Sequence, residues 1–205
     1  MSTELRLKGG IILGLLGLFL LTGAGSLGAG TIEGTVTAAG ARNARDAVIY
    51  VDAIKGQAFK APKEHAEMDQ KNMVFIPRVL PVLAGTVVDF LNSDDVLHNV
   101  FTPDKCAEKF NLGTWPKGQV RSYTFKQVGC AAVMLCNVHP EMEAFVVALP
   151  TPYFAKTGPD GKFKIEGVPA GTYTVQIWHE KLKAPAASVA VPAEGVAAVS
   201  FALSK

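Results

Sequence analysis

The stretch Leu135-Cys136-Asn137-Val138-His139-Pro140-Glu141-Met142 sets a thiol, an imidazole and a thioether at C-x2-H-x2-M spacing, and a second imidazole, His98, stands upstream in Leu97-His98-Asn99-Val100. A His2Cys trigonal plane completed by a weak, long axial Met is the ligand set of a blue-copper centre. Cys136 ends an apolar run, so one tight loop can wrap Cys136, His139 and Met142 around a single ion while His98 reaches it from another strand. Soft sulfur donors select copper, and donors held on separate rigid strands keep one geometry for both oxidation states. Little reorganisation then accompanies electron transfer. Zinc is the competing metal, although it prefers a carboxylate or a second Cys to a thioether. Asp94, Asp95 and Glu141 stand close to the ligands in sequence, so zinc stays open on this ground. A nucleophilic dyad of Cys136 and His98 is a third reading, and it leaves His139 and Met142 without a task.

The other two cysteines need a separate account. Cys130 and Cys136 lie six residues apart on one apolar run, a separation of ~20 Å at ~3.3 Å per residue, so only one of them reaches the ion. Cys130 therefore belongs at the far end of the sandwich. The strand leaving His98 also runs away from the metal, which brings Cys106, eight residues on, to that same end. A Cys106–Cys130 disulfide is expected in an exported chain, with two free buried thiols as the alternative.

The elements that must hold these residues are strands. Of the 205 residues 49% are hydrophobic and 19% charged, a composition that excludes disorder. A formal net charge of +2 without a run of basic residues offers no footprint for a nucleic acid. Arg6 and Lys8 precede an uncharged apolar stretch from Gly9 to about Gly25, and small residues follow through Gly30. This is the order of a secretory signal peptide over 1–30, with mature chain from Thr31; an uncleaved anchor, which would tie the chain to the membrane, is the other reading. Either way residues 31–205 are expected outside the cytoplasm, in the periplasm. Beyond Thr31 come short alternating or wholly apolar runs broken by Gly-containing turns at Ala84-Gly85, Val128-Gly129, Pro159-Asp160-Gly161 and Pro169-Ala170-Gly171. They predict an all-β chain with strands near 31–37, 47–53, 73–79, 86–91, 98–101, 122–126, 131–136, 144–149, 162–165, 171–179, 187–191 and 196–203. Residues 55–72 read as a linker. His65, Met68 and Met73, in or beside it, are not expected to form a second copper site, and His179 with Glu180 is expected to end a strand rather than bind a ligand.

Residues 73–149 resemble the cupredoxins, especially the plastocyanin and amicyanin branch. The resemblance rests on Phe75-Ile76-Pro77, Ala84-Gly85-Thr86-Val87, Phe90-Leu91-Asn92, His98-Asn99-Val100, the Gly129 turn and the Cys136–Met142 loop, whose short spacing is similar to that of amicyanin. It implies a Greek-key sandwich over 73–150 in which His98, Cys136, His139 and Met142 ligate one type 1 copper ion. It also implies that Asn99 pins the ligand loop by hydrogen bonds and that the exposed edge of His139 is the electron port. The Cys106 and Cys130 pair and the loop residues Asn137-Val138 and Pro140-Glu141 depart from the family pattern, so partner identity does not carry over.

The flanks resemble a different module, the carboxypeptidase regulatory-like (transthyretin-like) sandwich. Gly158-Pro159-Asp160-Gly161-Lys162-Phe163 and Val168-Pro169-Ala170-Gly171-Thr172-Tyr173 match its turn signatures, and Gly34-Thr35-Val36 with Ala47-Val48-Ile49 match its opening strands. The implied organisation is a cupredoxin domain inserted in, or adjoining, a second small β-sandwich built from 31–54 and 151–205. The pairing of 31–54 with the cupredoxin instead is the alternative. The expected function is one-electron carriage between a redox protein donor and acceptor with no substrate converted; the alternative is copper binding and delivery without redox cycling.

Overall fold

The computed structural model describes residues 28–40 and 43–205. These fold almost wholly as β-strands, and the single helical turn among them is the 3-10 segment Lys105–Ala107. The leader expected over 1–30 lies outside the described residues up to position 27. Its last two residues, Ala29 and Gly30, belong to the strand Ala29–Ala38 and pair with Pro169 and Val168. The first described strand therefore starts two residues before the expected boundary at Thr31.

Two sheets enclose the core that carries the chemistry. One runs Val79–Leu83, Glu143–Leu149, Ala131–Leu135, His98–Phe101, Asn111–Trp115; the other runs Val74–Ile76, Ala66–Lys71, Val87–Asn92, Val120–Thr124. Met68, Phe90, Trp115, Phe125, Met134 and Val146 fill the space between them. Residues 29–38 and 48–51 pair elsewhere. Ala29–Ala38 lies between Lys162–Pro169 on one side and Val196–Ala198 and Phe201–Leu203 on the other, and Val48–Val51 lies between Phe154–Lys156 and Gly171–Trp178. Ile32, Ile49, Ile165, Val175 and Leu203 form the core of that second pair of sheets. Close approach demands glycine twice here: a Cβ on Gly34 would strike the Val199 carbonyl, and Gly161, at φ +72°, stands against the Val36 carbonyl.

The strand Glu143–Leu149 explains how the two cores meet. Ala144, Val146 and Ala148 point into the first core, while Val147 and Leu149 join Val48 and Val79 in a third cluster on the opposite face, against Trp178. Both faces are covered, so the sequence is apolar without alternation. Val146, Val147 and Leu149, all buried, each contribute ~1.5–3 kcal/mol.

Three sequence expectations are corrected. The linker over 55–72 contains the strand Ala66–Lys71, whose inward positions are Met68 and Gln70. A buried Gln, whose amide donates to the Leu91 carbonyl, hid the alternation. The run expected at 73–79 is two strands, Val74–Ile76 and Val79–Leu83, because Pro77 interrupts the ladder. Asn111–Trp115 and Phe154–Lys156 were not expected as strands; the first is mostly exposed, the second is three half-buried residues, and neither has an apolar period.

Candidate metal centre

His98 opens its strand directly opposite Trp115 in the ladder and is 0% exposed. Cys136 follows the last residue of Ala131–Leu135 and is 2% exposed. The loop then turns back, with the Met142 N–H donating to the His139 carbonyl at 3.0 Å, so that Met142 ends it 1% exposed at the start of Glu143–Leu149. The donor atoms of His98, Cys136 and His139 lie within 4.8 Å of one another. Met142 shares the buried cluster with Cys136.

Tautomer and orientation follow from the surrounding bonds. His98 Nε2 lies 2.8 Å from Asp94 Oδ2, and its Nδ1 lies 3.1 Å from Nδ1 of His139. An Nε2–H donated to Asp94 leaves the Nδ1 lone pair turned inward, which is the arrangement that fixes a metal-ligating imidazole. Asp94 is itself fixed, accepting the amides of Asn72 at 2.7 Å and Met73 at 2.9 Å. Burial alone would raise its carboxyl; the Met73 amide, His98 and the Asn72 amide outweigh that and hold it below the ordinary carboxylate range. Asp94 thus stands behind His98, outside the three-donor group. Asp95 pairs instead with the exposed Lys117, and Glu141 is exposed. The carboxylates that left zinc open on sequence do not belong to the converging set.

Asn99 ties three segments together. Its Oδ1 accepts the Asn137 N–H at 3.1 Å, and its Nδ2 donates to Asn111 Oδ1 at 2.8 Å and the Gly113 carbonyl at 2.7 Å. Its backbone N–H points at Cys136 Sγ, 3.4 Å away, as a thiolate requires of a donor in a dry site. At the far end of the same strand Cys106 and Cys130 are joined in a disulfide, and Cys136 is the free cysteine.

The residues fit a copper ion. A soft thiolate, two inward imidazole nitrogens and a buried thioether are a blue-copper donor set. Two nitrogens 3.1 Å apart also suit a shared ion, given metal–nitrogen bonds of ~2.0 Å. Elsewhere, His65 Nδ1 is held at 3.0 Å by Asp89, Met68 is buried in the core, and Met73 is half exposed. His179 Nδ1 accepts the amides of Lys181 and Leu182 just past the strand Gly171–Trp178. Sequence proximity offers Asp94 only as a zinc ligand, and no local spacing marks its place behind His98.

No family model matches the chain, and no curated protein matches it. Among solved structures, similarity is found to amicyanin from Paracoccus versutus, at 23% identity over 49% of this chain and 96% of that one, with a TM-score of 0.39. The purple cupredoxin from Nitrosopumilus maritimus matches at 22% identity over 40% of this chain and 98% of that one, with a TM-score of 0.36. The copper-containing nitrite reductase from Thermus scotoductus matches at 25% identity over 49% of this chain and 26% of that one, with a TM-score of 0.40.

Proposed function

We propose that the chain is an exported type 1 copper protein that carries single electrons between two redox proteins. The observation that carries this reading is the convergence of His98, Cys136 and His139, all buried or half-buried, on one point within 4.8 Å. Copper bound there supplies the one-electron couple. The chain's own residues would hold it: Nδ1 of His98, Nδ1 of His139, the Cys136 thiolate and the Met142 thioether. Asp94 and Asn99 keep His98 and the loop in place, so little movement accompanies a change of charge.

The surroundings support transfer rather than turnover. His98 is sealed, whereas His139 reaches the surface in a loop beside Val138. Val96, Leu97 and Val138, sequence neighbours of His98 and His139, are 43–51% exposed, and exposed apolar side chains suit a transient docking partner. The leader pattern at the N-terminus supports a periplasmic location. The pairing of 29–38 and 48–51 with strands from 154–203 supports a cupredoxin domain inserted in a carboxypeptidase regulatory-like sandwich.

The test is copper loading of the purified chain, followed by visible absorption and EPR. An intense thiolate-to-copper band is expected and should vanish in Cys136→Ser; a coloured Ser variant would overturn the ligand assignment. Reversible voltammetry with rapid self-exchange separates a carrier from a copper-delivery protein, which releases its ion and does not cycle.

A further inference from the structure

Arg78 stands where the two cores meet. Its Nη1 donates to the Glu143 carbonyl at 3.1 Å, and its Nη2 donates to Glu143 Oε1 at 2.7 Å and to Glu180 Oε2 at 2.6 Å. Its own carbonyl accepts the Phe145 N–H at 2.8 Å, and its guanidinium lies 5.8 Å over the Phe145 ring. One residue therefore grips Glu143 and Phe145 through both backbone and side chain. Glu180, the third partner, lies just past the strand Gly171–Trp178 of the other pair of sheets, and Trp178 packs on the same Phe145 with ring centroids 5.5 Å apart.

Glu143 immediately follows Met142. The thioether-bearing residue is thus held from one side by its N–H to the His139 carbonyl and from the other by the Arg78 clamp. A cavity of about 260 Å³ lined by Val74, Phe75, Arg78, Glu141, Met142 and Glu143 adjoins it. Met142 is packed in the core beside Cys136, and on the cavity side the Arg78 clamp adds a restraint on the residue that follows it. We propose that the C-terminal sandwich, through Glu180 and Arg78, positions Met142 and so sets the axial contact of the metal; the inference rests on the type 1 copper reading. Arg78 and Glu180 act as positioning residues, because neither is among the converging donors.

The test uses the full chain with Glu180→Ala and Glu180→Gln, and Glu166→Gln as a control in an exposed ion pair with Lys164. Two readouts apply. In metal-free protein, hydrogen exchange of the Met142 amide should accelerate roughly tenfold in Glu180→Ala, since a charge-assisted bond that restrains the loop is lost. In copper-loaded protein, the relative intensity of the two thiolate-to-copper bands should change, because it reports the axial interaction. Glu180→Gln keeps an acceptor for Arg78 and should fall between wild type and Glu180→Ala, and the control should match wild type. Wild-type exchange and wild-type band ratio in Glu180→Ala would overturn the inference. Should that variant not fold, Glu180→Gln decides: roughly threefold faster exchange supports the clamp, and unchanged exchange refutes it. A colourless wild-type protein would sink the copper reading alone, and the exchange measurement would still judge the clamp.

Discussion

Removing the Asn99 side chain should cost the fold about 2–3 kcal/mol and loosen the metal loop at the same time. Three hydrogen bonds disappear in Asn99→Ala, to Asn137, Asn111 and Gly113. At ~0.5–1.5 kcal/mol net for each, their sum is about 1.5–4.5 kcal/mol. Asn111, Gly113 and Asn137 are exposed residues, so water replaces part of what they lose, and about 2–3 kcal/mol, at and below the midpoint of that range, applies. For a domain of this size, at about 2–4 °C per kcal/mol, the melting temperature should fall by roughly 4–12 °C. Asn99→Asp sharpens the argument. Its carboxylate still accepts from the Asn137 amide but aims an oxygen at Asn111 Oδ1 and the Gly113 carbonyl, 2.8 and 2.7 Å from Nδ2 in the native side chain. Acceptors facing acceptors repel, so Asp should be less stable than Ala at neutral pH while holding the loop better. Thermal unfolding followed by circular dichroism measures the first order, and the linewidth of the copper EPR spectrum measures the second. A melting shift under 2 °C for both variants, with unaltered spectra, would refute the pinning role.

Three further outcomes are expected. Cys106→Ala/Cys130→Ala opens a loop between residues 24 positions apart, and the chain-entropy relation gives a loss of ~3.5 kcal/mol; chemical denaturation of the unreduced protein and the double variant checks it, and a loss below ~1 kcal/mol would count against it. His179 has its pKa lowered, by burial first and by Lys181 in addition, against the opposing pull of Glu180 and Asp46. The unfolded chain therefore binds the proton more readily, so the His179 contribution is present above the ordinary histidine value and lost as pH falls below it through the folded value; in denaturant titrations from pH 7 to 5, His179→Asn should lose stability less steeply than wild type. Finally, residues 151–205 expressed alone should show no cooperative melt, because Ala29–Ala38 and Val48–Val51 occupy interior positions in both of the sheets that fragment would have to form.

The all-β class was legible because turn chemistry and short apolar runs are local signals. So was the His98–Cys136–His139 group, since two of its three members sit within one loop and the third opens a short strand upstream. What escaped has a common physical origin. Ala66–Lys71 buries a glutamine, and its pairing with Val87–Asn92 is parallel and joined by no short turn, so neither composition nor spacing marks it. Asp94 looked like a possible ligand because sequence proximity does not say on which side of His98 a carboxylate will fall; the amides of Asn72 and Met73, distant in sequence, settle that. Arg78 was invisible for the same reason, since its partners lie 65 and 102 residues away.

The two imidazoles are held in opposite ways, and this asymmetry follows from their backbones. His98 belongs to a strand flanked on both sides within its sheet, and its far nitrogen is tied to a fixed carboxylate. To move it, the chain would have to break ladder bonds and strip Asp94 of a partner, so His98 acts as the rigid reference of the site. His139 lies in the loop, is partly exposed, and is held by the turn bond from Met142 and by contact with His98. Its restraint is therefore borrowed: Asn99 holds Asn137 at one end of the loop, and Arg78 holds Glu143 at the other. On the proposed reading, a carrier needs one ligand near its partner and cannot let that ligand wander. Clamping the loop at its two ends, rather than covering His139, satisfies both demands, and it places the second clamp under the control of the neighbouring sandwich through Glu180.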